Sequence, residues 1–250
     1  MFARRPKLPV TPDQQEWIEI SFVLLTELFG AEWIREAPLV LPAEKFFPMK
    51  WAPTEAWANF AFDRVCELMR VQRERVELTF VEDSEAALRE SLRKSGINLG
   101  SLAGVAGTYR KVDVEDGASL AQIQIKSSLF DKPETMVATM AHEVAHVLLL
   151  GDGRIPRELE RMEPLTDLMT VFSGFGILSA NSAFVHKSGS GGWSVSRSGY
   201  LSPREYGYSL AVFAWTRGEH NLSWEKELTI HVRPFLRDSL AYFKSSGRTV

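Results

Sequence analysis

Apolar residues recur every three or four positions through most of this chain. They alternate clearly with polar ones in only three short stretches, all near the middle. The pattern therefore predicts a mostly helical α+β protein with a small central sheet. Thr11, Pro12 and Gln14 read as an N-cap, a first-turn proline and a capping-box partner. A helix should run from there to Gly30, with Trp17, Phe22, Leu25, Leu28 and Phe29 as its buried stripe. Residues 31–53 hold four prolines and read as an irregular connection. Thr54 can cap a second helix over 55–70, with Trp57, Phe60, Ala61, Val65, Leu68 and Met69 inward.

"VELTFVE" then alternates as a half-buried strand should. "SEAALRESLRKSG" suggests a short helix stopped at Gly96, and "LGSLAGVAG" a flexible joint. "TYRKVDV" and "AQIQIKS" read as two more strands, with Glu115, Asp116 and Gly117 in the turn between them. Asp131, Pro133 and Glu134 read as a cap, an early proline and a capping-box carboxylate for a helix with Met136, Val137, Met140, Ala141, Val144 and Leu148 as its apolar stripe. Gly151 and Gly153 end it. A further helix should begin near Glu163 and Pro164 and run to about Ser173, where "GFG" loosens it. "HKSGSGGWSVSRSG" is a Gly/Ser-rich loop or a loose hairpin, able to serve as a lid. Ser202, Pro203 and Glu205 announce a helix ending near Gly218. Ser223 should cap the last helix, with Pro234 interrupting it.

Length and composition narrow the setting. The 250 residues suit one domain, with an N-terminal helical part over about 1–75 and the sheet and remaining helices over about 76–250. A net charge of −3 gives no bulk attraction to nucleic acid or an anionic membrane, so neither is an expected partner. The basic N-terminus has no apolar segment behind it, and no apolar run approaches membrane-spanning length. A single cysteine, Cys66, allows no intrachain disulfide and sits in an apolar helical pattern. The expected location is the cytoplasm.

The chemistry concentrates in "TMAHEVAHVLLLGDG". Residues four apart on a helix lie one above the other, so His142 and His146 can offer two imidazole nitrogens to one ion. Glu143 lies about 100° round the helix. It falls outside the ligand set but within reach of water on the ion's open side. Three such groups in an otherwise strongly apolar helix would be costly to bury without a purpose. A catalytic zinc takes three protein ligands plus water. The acidic candidates downstream are Glu158, Glu160, Glu163 and Asp167. Glu158 and Glu160 lie in a charged stretch that reads as a solvated turn. Glu163 and Asp167 share one face of the next helix in apolar surroundings. Glu163 is the expected third ligand and Asp167 the alternative. In its other role Asp167 would accept the free N–H of a ligand histidine.

"HEVAH" at 142–146 and "EPLTD" at 163–167 resemble the H-E-x-x-H and E-x-x-x-D motifs of the zincin metallopeptidases, and among them the gluzincins. The resemblance implies a zincin-like fold around the H-E-x-x-H helix and zinc bound by His142, His146 and Glu163. It also implies a water activated by Glu143, and Asp167 in support of a histidine. The chain is also similar to a group of uncharacterised bacterial H-E-x-x-H proteins. That likeness runs on through "GYSLAVFAWTRGE" at 207–219 and so covers about the C-terminal half.

The expected activity is hydrolysis of a peptide or protein substrate. Tyr200, Tyr206, Tyr208 and His186 are candidate donors to the developing oxyanion, whereas His220 and His231 are given no role. The strand "AQIQIKS" would offer an edge for an extended peptide. Two other readings compete: a non-catalytic regulator that keeps a zincin scaffold, and a structural zinc joining two helices. An intact glutamate after the first histidine favours the enzyme.

Overall fold

The computed structural model describes residues 8–82, 107–113, 119–151, 153–189, 192–197, 200–219 and 222–247. Its elements in chain order are α1 (Pro12–Phe29), α2 (Ala31–Glu36), α3 (Glu55–Leu68), β1 (Val76–Val81), β2 (Gly107–Asp113), β3 (Ser119–Lys126) and α4 (Pro133–Leu150). Then follow α5 (Met162–Phe172), α6 (Gly176–Ser182), β4 (Phe184–Gly189), β5 (Gly192–Arg197), α7 (Pro203–Thr216) and α8 (Arg233–Ser246). The architecture is predominantly helical with a small mixed sheet, an α+β arrangement. No described helix is long and apolar enough to cross a membrane. The helix expected over 84–96, all but the last residue of the joint over 99–107, and the turn at 115–117 lie outside the described residues.

Contacts group the chain into two compact units, residues 42–159 and residues 1–41 with 160–250. In the first, β1 pairs in parallel with β3 and β2 pairs antiparallel to it, giving the order β1-β3-β2. β3 is therefore central, and its backbone is occupied on both sides. The edges are β1 and β2, which corrects the expectation that "AQIQIKS" presents an open edge. The central position explains its composition: Ala121, Ile123 and Ile125 alternate into the core while Gln122 and Gln124 point away. α4 packs against α3, β2 and β3. Phe62 and Val65 of α3 and Met136, Met140 and Val144 of α4 are completely buried. Each such side chain favours folding by about 1.5–3 kcal/mol relative to exposure. α4 opens at Lys132 with Pro133 in its first turn and no side-chain cap. Asp131 is thus not the cap that the sequence suggested. The proline's fixed φ and missing donor start the helix without one.

In the second unit α1 packs against α5 and α7, and α7 against α8. The Thr11 capping box forms as expected: Gln14 N–H donates to Thr11 Oγ1 at 3.3 Å, and Thr11 N–H donates to Gln14 Oε1 at 2.9 Å. Its buried stripe is rotated from the expected one. Ile18, Ser21, Phe22 and Leu25 are buried, whereas Trp17, Leu28 and Phe29 are half-buried. Trp17 lies at the margin because the Arg161 guanidinium covers its ring, 3.8 Å from the centroid. α2 appears within the stretch expected to be irregular. Six residues are too few to show a period, and Ile34 alone is buried there.

"GFG" marks a turn between two helices, not the fading of one. Gly174 has φ +88°, and a Cβ there would lie 2.0 Å from the Pro38 carbonyl oxygen. The chain restarts at once as α6. The Gly/Ser-rich stretch is a hairpin in which β4 and β5 pair antiparallel, Phe184 opposite Arg197. α7 begins with the Ser202–Glu205 capping box. Ser223 opens only a single 3-10 turn, and Pro234 stands in the first turn of α8, so it starts that helix and does not interrupt it.

Candidate metal centre

The helical period of α4 puts His142 and His146 on one face. Their rings lie 5.0 Å apart, centroid to centroid, and nearly perpendicular at 83°. His146 is 7% exposed and Glu143 5%, while His142 is half-buried. All three sit in a helix whose neighbours Met140, Ala141, Val144 and Ala145 are fully buried. Glu143 and His146 are thus set into the core, with His142 at its margin.

β2 supplies two groups against this helix. Tyr109 stacks on the His146 imidazole, with ring centroids 5.7 Å apart and planes 16° from parallel. Two residues earlier on the strand, Gly107 is buried beside Glu143. A Cβ at Gly107 would stand 2.8 Å from Glu143 Oε1, 3.0 Å from its Cγ and 2.9 Å from Thr139 Cγ2. Only a glycine lets the strand come this close with the glutamate in place.

α5 contributes Glu163 in its first turn and Asp167 one turn later. His142, His146 and Glu163 form a group that could hold a metal ion: each offers one ligand atom, and these atoms lie within 4.8 Å of one another. Asp167 does not belong to that group. It is 3% exposed, and its Oδ2 accepts the backbone N–H of Tyr200 at 2.7 Å and of Leu201 at 3.1 Å. Asp167 thus ties down the segment that leads into α7. Two imidazole nitrogens and a carboxylate oxygen match the donor chemistry that zinc accepts.

The remaining candidates divide. Glu158 and Glu160 are exposed, as a solvated turn requires. Tyr208 is fully buried, and its O–H donates to the Glu19 carboxylate. Tyr206 is likewise buried, and Tyr200 is 47% exposed. His231 is exposed, while His220 and the side chain of His186 lie outside the described residues. Sequence reasoning missed Gly107 and Tyr109. Their spacing of two in "GTY" puts them on one strand face, but nothing in the sequence says that this face meets α4.

Comparisons of the chain with protein-family models, with curated proteins and with solved structures returned no match.

Proposed function

We propose that the protein is a zinc-dependent metallopeptidase hydrolysing a peptide or protein substrate. The observation that carries this reading is the arrangement on α4: two histidines on one helical face with a buried glutamate between them in sequence. Glu163 supports it by adding a carboxylate oxygen to the two imidazoles. His142, His146 and Glu163 would hold the ion. A bound zinc supplies Lewis acidity toward a carbonyl oxygen and makes water more acidic.

The chain's own part is proton movement and placement. Hydrolysis adds one water across the C–N bond: the oxygen goes to the carbonyl carbon, and the nitrogen leaves with a proton. Glu143 takes the proton from water at a carboxylate oxygen and returns it to the leaving nitrogen. Its burial keeps that carboxylate in a restricted, weakly solvated position, where proton transfer is directed and not shared with bulk water. Stacking of Tyr109 on His146 limits how far that imidazole can drift.

Glu143→Gln separates the enzyme from a non-catalytic scaffold. The amide preserves size and leaves the ligand set intact but cannot accept the proton. Zinc content after dialysis should equal the parent's, and turnover of a quenched-fluorescent peptide library should fall by about 10²–10⁴-fold. Equal turnover by the variant and the parent would refute the proposed role. A parent that binds zinc tightly yet cleaves nothing would favour the regulatory scaffold.

A further inference from the structure

The strand β2 touches two of the three chemistry-bearing groups of α4, Glu143 and His146, through alternate residues on one face. We infer that β2 is the positioning strand of the site: Gly107 leaves the space that the Glu143 carboxylate occupies, and Tyr109 fixes the plane of the His146 ring. The inference deepens the metallopeptidase reading and rests on it for its functional consequence, but its geometry stands alone.

Glu143 has three rotatable side-chain bonds, and its partner in proton transfer must meet one oxygen within hydrogen-bond distance. A glutamate in open space would spread over many rotamers. Here Gly107 forms one wall. Oε1 and Cγ of Glu143 and Cγ2 of Thr139 all crowd the point where a Cβ would stand, at 2.8, 3.0 and 2.9 Å. An alanine methyl at 107 has to push something aside. Thr139 is β-branched and held by its hydroxyl, which donates to the Thr135 carbonyl at 2.9 Å, so it yields poorly. The carboxylate end of Glu143 is the part that yields. On the other side of Tyr109, two nearly parallel rings at 5.7 Å leave the imidazole of His146 little freedom to turn about its Cβ–Cγ bond.

Two experiments test this on the full-length chain. The first needs neither metal nor substrate. Thermal midpoints of metal-free parent, Gly107→Ala, Glu143→Ala and the double variant form a cycle. Gly107→Ala should lower the midpoint in the parent. With Glu143 cut back to its Cβ, at least half of that loss should disappear, and the remainder belongs to the Thr139 methyl. An equal loss in both backgrounds overturns the inference.

The second uses Zn²⁺ alone, measured by chelator competition, and turnover of the peptide library. Tyr109→Leu should weaken zinc binding about tenfold. Tyr109→Phe, which keeps the ring, should stay within about twofold of the parent. Gly107→Ala should also bind zinc like the parent yet lose about a hundredfold in kcat with KM unchanged, because a displacement near 1 Å is enough to misplace a reacting group. A purely structural role would lower stability and leave zinc affinity and kcat per folded molecule untouched, which overturns the inference. A parent with neither zinc binding nor turnover would defeat the proposed function, and the thermal cycle would still decide whether Gly107 packs on Glu143 as described.

Discussion

α4 and α7 are both helices buried nearly all round, and both carry polar side chains where apolar ones would be expected. In α7 each of these groups is closed by its own surroundings. Glu205 completes a capping box with Ser202, Ser209 donates to the Glu205 carbonyl at 2.7 Å, and the Tyr208 hydroxyl donates to Glu19. In α4, His142 and His146 each offer one ligand atom to a group that includes Glu163, the atoms lying within 4.8 Å of one another. Burial of polar residues therefore does not identify a site. Convergence of several donors on one small volume marks a candidate one. α7 uses polar groups to specify one packing. In α4 they belong to a group that could hold a metal ion.

Removing the donors should show the difference most strongly. The double variant His142→Ala, His146→Ala should bind zinc about a thousandfold or more weakly than the parent by chelator competition. If it retained parental affinity, the ion would be held elsewhere and the contrast between the helices would vanish. Gly207→Ala in α7 should act on stability alone. Its Cβ would stand 2.6 Å from Phe235 Cβ and 2.8 Å from the Leu236 nitrogen of α8. These are backbone-proximal atoms that cannot swing away, so a loss of about 1–3 kcal/mol in denaturant unfolding is expected, with zinc affinity unchanged. Tyr208→Phe should cost about 1 kcal/mol by removing one donor from the Glu19 carboxylate, which also accepts from Gln15 Nε2 at 2.9 Å, again without effect on zinc. A loss of zinc binding in either α7 variant would mean that the two helices are not separable in function.

The contrast was partly legible from sequence. The H-E-x-x-H spacing put both histidines on one face because helical period alone decides that. Glu163 and Asp167 stand apart from the other two acidic candidates because they share one helix face in apolar surroundings, whereas Glu158 and Glu160 lie in a charged stretch. The capping boxes at Thr11 and Ser202 were legible for a similar reason: residues three apart settle them. What sequence did not show was set by distant partners. Trp17 was expected in the core, but Arg161, far along the chain, covers its ring at the margin. Alternation gives the faces of β3 and not its place in the sheet, which is central. Gly107 and Tyr109 carried no local signal, since their meaning arises only when β2 is laid along α4.

Cys66 offers the smallest effect and a third case, a reactive group type that is neither converged nor partnered but shut away. It lies on α3, 1% exposed, and burial pushes its thiol from 9.0 to about 12, with Arg73 opposing. The thiol stays protonated in the folded chain while the unfolded chain releases its proton near pH 9. A group whose folded pKa is raised holds its stabilising contribution below the unfolded pKa and loses it as pH climbs toward the folded value. Raising the pH from 8 to 10 should therefore cost about 1 kcal/mol through this thiol. Denaturant unfolding of the parent and Cys66→Ala at both pH values isolates it, because every other titrating group is common to the two. The alanine variant starts lower from lost packing, but its decline from pH 8 to 10 should be shallower by that amount. Parallel declines would mean that the thiol is reached by water, and that α3 is less closed against α4 than Phe62, Val65 and Met140 suggest.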